Sequence, residues 1–445
     1  MAISPARLAA YQILQRVEQE DAYASELLHS ARYAKLSAAD HSLATELVMG
    51  VLRWRSWLDS EIARQSSLPL TKLDAEVLTS LRLAAYQLMF LDRVPGRAAI
   101  YDSVELVKQA RKRSATSFTN AVLRKLAKAG PHARVASGIE DSKTISELAV
   151  QSAQPEWLVE RWVHQFGFEH SVQICRYDQR IPETAIRITD RADEEELKAD
   201  KVELAPGHLL SSARRVLAGD VRGASAFRHG RIAIQDEASQ LVALLLGRGS
   251  RILDCCAAPG GKTRVLAEQN PLATIVAAEV HPHRARLLRN LVPAANVHVI
   301  AADARALPLT ELFDRVLVDA PCSGTGTLAR NPEIKWRLTV EDLADLRTRQ
   351  VAILCSAMEK VAPHGRLVYS TCSLEPEENQ AVVEDAVSSS RSFRLLNASD
   401  RMQELRSCGE LVWEDLASLT PGPYLRTVPG VHPCDGFFAA MMERV

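Results

Sequence analysis

Two short stretches carry residue types suited to covalent chemistry. Asp319-Ala320-Pro321-Cys322-Ser323-Gly324-Thr325-Gly326 follows Val316-Leu317-Val318, and Ser370-Thr371-Cys372-Ser373 follows Leu367-Val368-Tyr369. Both apolar runs are of the kind expected of strands buried on both faces. In an open parallel sheet such strands deliver their last residues to one edge, where ligands bind. Cys322 and Cys372 are therefore expected to share a crevice with the Asp319 carboxylate.

The stretch Ile252-Leu253-Asp254-Cys255-Cys256-Ala257-Ala258-Pro259-Gly260-Gly261-Lys262-Thr263 passes from a strand through a small-residue turn into a helix. Glycines permit positive φ and let a ligand approach the backbone, while a helix start offers free N–H groups. Gly261-Lys262-Thr263 fits the end of a phosphate-binding loop, but Cys256 stands where that motif needs its first glycine, which argues against nucleotide hydrolysis. The next strand, Thr274 to Glu279, ends on an acid placed to bind ribose hydroxyls. A third, Val297 to Asp303, ends on another, suited to an adenine amino group; capping of the following helix is the competing role for either acid. Acids at both strand ends after a glycine turn point to a nucleoside cofactor. On this half alone NAD and S-adenosylmethionine both remain open.

Strands alternating with helices from Arg251 onward predict a doubly wound α/β sheet, preceded by an amphipathic helix after Asp236. A chain of 445 residues exceeds one core. Residues 1–140 are expected to form an all-helical domain, from apolar residues at three- and four-residue spacing such as Ile13, Leu14, Val17, Leu47, Val48, Val51, Leu81, Ala85 and Met89. Residues 148–232 suggest a small α+β domain and 233–445 the α/β domain, with a linker from Gly130 to about Ser146. Formal charge is −1, so any nucleic-acid contact must come from local patches. Lys108, Arg111, Lys112, Arg113, Arg124, Lys125 and Lys128 form one such cluster, and Arg176, Arg180, Arg187 and Arg191 another; a solvated surface explains either as well. Eight cysteines without a C-x-x-C pair argue against zinc and a disulfide scaffold and for a reducing compartment. With no signal peptide or membrane span expected, the default is a cytoplasmic protein.

Asp-Cys-Cys-Ala-Ala-Pro-Gly-Gly-Lys-Thr, Asp-Ala-Pro-Cys-Ser-Gly-Thr-Gly, Arg330-Asn331-Pro332-Glu333-Ile334-Lys335-Trp336 and Ser-Thr-Cys-Ser-Leu374-Glu375-Pro376-Glu377-Glu378-Asn379 together resemble the motifs of the RNA 5-methylcytosine methyltransferases. Ser117 to Arg124 and Ala44 to Arg53 resemble the NusB-like RNA-binding helical domain. With both, the chain is similar over nearly its whole length to the bacterial enzymes acting on 16S rRNA. The resemblance implies S-adenosylmethionine as cofactor and RNA as partner; no metal, no membrane contact and a monomeric state are expected beside it. It implies Cys372 as the nucleophile that adds to cytosine C6, Asp319 as the group holding the base's N3 and amino edge, and Cys322 as the thiol assisting release. Cofactor contacts would be Cys256, Ala257, Ala258, Pro259, Gly260, Gly261, Lys262, Glu279, Asp303 and Asp319, with Arg284 a further candidate. Cys255 stands where the family more often has an apolar residue, and Glu279 where aspartate is common.

Trp336, Lys335 and Arg337 are candidates to stack against or grip RNA near a flipped base, against a core role for the tryptophan. Cys255, Cys355 and Cys408 are expected to act as small hydrophobes. Gly430 to Ala440 resembles the family's closing hairpin, with Asp435-Gly436 as turn residues. A tRNA methyltransferase of the same chemistry, or a non-catalytic RNA-binding assembly factor, are the alternatives. A nicotinamide dehydrogenase lacks residues for hydride chemistry.

Overall fold

The structure is a computed structural model that describes residues 3–20, 22–129 and 138–445. Part of the expected linker, 130–137, lies outside them. The chain divides into two compact units, Met1–Ile181 with Leu328–Arg337, and Pro182–Thr327 with Leu338–Val445.

The first unit is helical. Its longer helices are Pro5–Gln19, Ala38–Arg53, Arg55–Gln65, Ala75–Phe90, Gly96–Gln109 and Thr116–Ala129, followed by Ile145–Gln151, Glu156–Phe166 and Phe168–Asp178. Ile13, Leu14, Val17, Leu47, Val48, Val51, Leu81, Ala85 and Met89 all enter one apolar core, as their spacing requires. Two of these helices approach at Gly50, where a Cβ would lie 2.0 Å from the Tyr86 ring. The Tyr86 hydroxyl donates to Glu46 Oε1 at 2.6 Å. Leu328–Arg337 belongs to this unit and is held by backbone carbonyls. Lys335 Nζ donates to Arg53 O (2.9 Å) and Ala153 O (2.7 Å), Trp336 Nε1 to Leu52 O (2.6 Å), and Arg337 to Ala22 O (2.7 Å).

Among its described residues the second unit contains two sheets. The smaller is antiparallel in the order β2-β3-β1-β4, from β1 (Thr184–Arg187), β2 (Glu203–Pro206), β3 (Ala213–Ala218) and β4 (Ala233–Ile234). The block expected as 148–232 is thus shared: its helices up to Phe168–Asp178 lie in the first unit, and its strands with helices Arg191–Ala199 and Ser225–Arg228 in the second.

The larger sheet is built from β5 (Arg251–Asp254), β6 (Thr274–Glu279), β7 (Val297–Ala301), β8 (Phe313–Asp319), β9 (Val361–Thr371), β10 (Phe393–Leu396), β11 (Leu425–Thr427) and β12 (Phe437–Arg444). Its order is β10-β12-β9-β8-β5-β6-β7, with β11 also on β12. Strands β5 to β9 run parallel, and β12 pairs antiparallel between β9 and β10. Val316 and Val318 face one core and Leu317 the other, which explains why the run is apolar without alternation. Helix Glu237–Leu246, capped by Asp236 accepting from Ala238 N–H (2.9 Å), is buried all round apart from Ser239, not amphipathic. Chain order reverses between β5 and β8, so ligands are expected outside their carboxyl ends.

Candidate active site at the strand ends

Asp319 closes β8, and Cys372 follows the last residue of β9; Asp319 and Ser370 are partners in register. Cys322 and Cys372 meet with their sulfurs 3.3 Å apart. Asp319 Oδ1 accepts from the Ser370 hydroxyl at 2.8 Å and Oδ2 from Lys262 Nζ at 2.6 Å. The Lys262 ammonium also lies 4.9 Å from the centre of the Phe437 ring. Asp319 keeps 28% of its side chain exposed, so a ligand can reach it.

The Cys322 thiol is pushed well above its ordinary range, first by its hydrogen bond with Cys372, then by burial, with the charges of Glu378 and Asp319 adding. One proton is thereby kept on Cys322. Cys256 is also raised, by burial and then by Asp254, Asp319, Glu279 and Asp303, and Cys255 by burial first; both stay thiols. Cys355 is half-buried, whereas Cys408 is exposed rather than packed as a small hydrophobe.

The loop after β5 leads into helix Gly261–Gln269 through Gly260, whose φ of +119° is closed to side-chain-bearing residues. A Cβ there would also fall 2.7 Å from Leu288 and Val292. Ala257 and Gly260 are buried, Cys256, Ala258, Gly261 and Lys262 half-buried, and Pro259 exposed. Glu279, buried at the end of β6, accepts from His281 N–H at 2.9 Å through Oε1. Asp303 lies two residues beyond β7 and caps the turn Ala304–Ala306, accepting from Arg305 N–H (2.9 Å) and from the Arg305 guanidinium (2.6 Å). Those bonds hold its carboxyl below the usual range. Arg284 is half-buried on helix Pro282–Leu291.

Several residues of this edge were not singled out in the sequence. Asp254 is wholly buried, with Oδ2 accepting from Thr263 at 2.8 Å and Oδ1 without a partner. Burial lifts its carboxyl to about 7, opposed by Thr263 and assisted by Asp319. An acid ending the first strand of the glycine turn was the available signal. Ser370, Phe437 and Glu378 gave none.

Some basic candidates are engaged internally. Lys335 is buried among carbonyls in the helical unit, and Trp336 is half-buried with its indole N–H bonded to Leu52 O. Arg187 is buried, with its guanidinium on Glu268 (2.9 Å) and Glu410 (3.3 Å), so it lines no RNA path. Lys108, Arg111, Arg113, Arg124, Lys125, Lys128, Arg176, Arg180 and Arg191 are exposed.

Comparison with known proteins settles the family. A model described as 16S rRNA methyltransferase RsmB/F matches residues 241–443, and the NusB family model matches 4–128. The chain is 34% identical to a Bacillus subtilis protein named probable ribosomal RNA small subunit methyltransferase B, covering 98% of each. It is 33% identical to the Pseudomonas putida ribosomal RNA small subunit methyltransferase B, covering 85% of this chain and 87% of that one. The chain belongs to the RsmB/F methyltransferase family. The crystal structure of PH0851 shares the fold over 100% of both chains, with a TM-score of 0.80 at 24% identity. As an RsmB/F member the chain combines a NusB-like all-helical domain with a Rossmann-like methyltransferase domain, uses S-adenosylmethionine, and acts on RNA. Among the described residues no helix is long and apolar enough to cross a membrane.

Proposed function

We propose that this RsmB/F protein methylates C5 of a cytosine in 16S rRNA through a covalent bond between Cys372 and C6, with Cys322 assisting release. The observation that carries the reading is the pair of thiols 3.3 Å apart beside Asp319. Cytosine C5 is a poor nucleophile. Addition of the Cys372 thiolate to C6 moves the ring's π electrons toward C5, which then takes the methyl group. S-adenosylmethionine supplies that group as an electrophilic methyl on sulfonium. Asp319 faces the N3 and amino edge and stabilises the charge developing on the ring. Release requires the C5 proton to pass to a base, water serving where no side chain does; its bonding electrons restore the C5–C6 double bond as the C6–S bond breaks onto Cys372. Cys322 stands within reach of that sulfur.

The glycine turn fits the cofactor. Gly260 and Gly261 open the helix start, Glu279 has its second oxygen for a ribose diol, and Asp254 presents an unpartnered buried oxygen beside the same turn. Asp303 is assigned to the adenine amino group, for which Arg305 must swing off the carboxylate.

The test mixes Cys322→Ala protein with S-adenosylmethionine and total cellular RNA, and sequences any RNA that stays attached under denaturing conditions. An adduct at one small-subunit rRNA site, lost when Cys372→Ala is added, is expected. An adduct on tRNA keeps the mechanism and overturns the substrate. Absence of both adduct and wild-type 5-methylcytosine favours a binding role.

A further inference from the structure

We propose that Glu378 is the positioning residue that holds the two thiols at their working separation, by gripping the residue that follows each of them. This rests on the two-thiol mechanism above. Ser323 follows Cys322 and Ser373 follows Cys372, and the Glu378 carboxylate binds both. Its Oε1 accepts from Ser323 N–H (2.8 Å) and from the Gln350 amide (2.9 Å); its Oε2 accepts from the Ser323 hydroxyl and the Ser373 hydroxyl (2.5 Å). The two serine hydroxyls are themselves 3.0 Å apart. Gln350 extends the grip to the other side of Cys322 through Pro321 O (2.9 Å). Asn379 does so for Cys372, accepting from Thr371 (2.5 Å) and donating to Ser373 O (2.9 Å). The clamp itself is anchored where Tyr369, on β9, donates to Glu378 O at 2.7 Å.

Glu378 is wholly buried, and each of these four donors is neutral. A buried carboxylate without a cation is costly unless donors fill its lone pairs. A carboxylate's two oxygens take all four donors at once; a glutamine keeps the same partners only with its NH2 donating to the two serine hydroxyls, which can turn to accept. The same charge assists in keeping Cys322 protonated, after Cys372 and burial. Glu378 touches neither sulfur, so it acts through Ser323 and Ser373.

The test uses phenylarsine oxide, whose arsenic takes both thiols in place of its oxygen and releases water, and therefore reports their spacing without RNA or cofactor. Wild-type protein is expected to bind one arsenical bridging Cys322 and Cys372, located by peptide mapping. Glu378→Ala and Glu378→Asp, which withdraws the carboxylate by one methylene, are expected to weaken that bridge by about tenfold or more and to lower kcat while leaving KM near wild type. Glu378→Gln should hold the bridge within about threefold, because its shape is kept, yet shift the alkylation profile of Cys322 to lower pH in a Cys372→Ser background. Wild-type affinity in folded Glu378→Asp or Glu378→Ala, no bridge in wild type, or an unmoved profile in Glu378→Gln overturns the proposal. Should Glu378→Ala fail to fold, the other two variants decide. A bridge that behaves as expected, with no RNA adduct on Cys322→Ala protein, overturns the mechanism and leaves the clamp standing.

Discussion

Asp254→Asn should remove a pH-dependent loss of stability from the α/β unit. The Asp254 carboxyl is wholly buried at the end of β5, and burial lifts it from 3.8 to about 7. The folded protein therefore holds this proton more tightly than the unfolded chain. Between those two values the folded state binds more protons, so stability falls as pH rises through the window, and the full cost remains above it. The gap between 3.8 and about 7 corresponds to on the order of 4 kcal/mol in total, of which about 3 kcal/mol accrues between pH 5 and pH 8.5. Asparagine is neutral at both. The variant should therefore gain about 3 kcal/mol on the wild type in going from pH 5 to pH 8.5, whatever its absolute stability. Urea unfolding read by pulse proteolysis, with cleavage mapped to residues 251–319, isolates this unit from the helical one. A variant-minus-wild-type difference that moves by less than about 1 kcal/mol between the two pH values would show that Asp254 ionises in the fold as it does in water.

Other substitutions probe separate parts. Lys335, held at about 7 by burial, gives up its proton more readily in the folded state than in the unfolded chain, where it leaves near 10.5; wild-type stability should rise with pH across that window. Lys335→Met should flatten the rise, as read by tryptophan fluorescence of the helical unit during urea unfolding at pH 7 and pH 10. Gly260→Ala forces a side chain into φ +119° and against Leu288 and Val292, and should weaken S-adenosylmethionine binding by about tenfold or more in calorimetry. Arg187→Met leaves Glu268 and Glu410 without their shared cation and should destabilise the α/β unit by about 2 kcal/mol, less than for a dry pair because both glutamates are partly exposed. A loss under about 0.5 kcal/mol in the same proteolysis assay would contradict that.

Those elements whose sequence signal is local were legible. Val316 to Val318 and Leu367 to Tyr369 read as strands because a strand buried on both faces has no polar residue to interrupt it, and the chemistry-bearing residues follow such runs directly. Cys322 and Cys372, 50 residues apart, could be paired in advance only through the rule that parallel strands end at one edge. Partners supplied from elsewhere were hidden. Arg187 looks like surface until Glu268 and Glu410 are seen beside it, and Lys335 until the carbonyls of Arg53 and Ala153 are. Charged side chains are seldom buried without such company, so residue type misled in both cases. The antiparallel entry of β12 between β9 and β10 is likewise set by pairing that no period in the sequence announces. Glu378 and Glu377 are adjacent acids, and nothing local says which one turns inward.

The ten residues Leu328–Arg337 give the chain an order of events during synthesis. The helical unit includes them, so when Ile181 has left the ribosome that unit still lacks the lysine, indole and guanidinium that occupy the carbonyls of Leu52, Arg53, Ala153 and Ala22. Those groups arrive about 156 residues later, roughly 10 to 30 seconds at ordinary translation rates. By then β5 to β8, the glycine turn and the Asp319 loop have already been made. The amino-terminal unit is thus first to start folding and cannot be finished until β5 to β8 exist, which ties its completion to synthesis of the other unit.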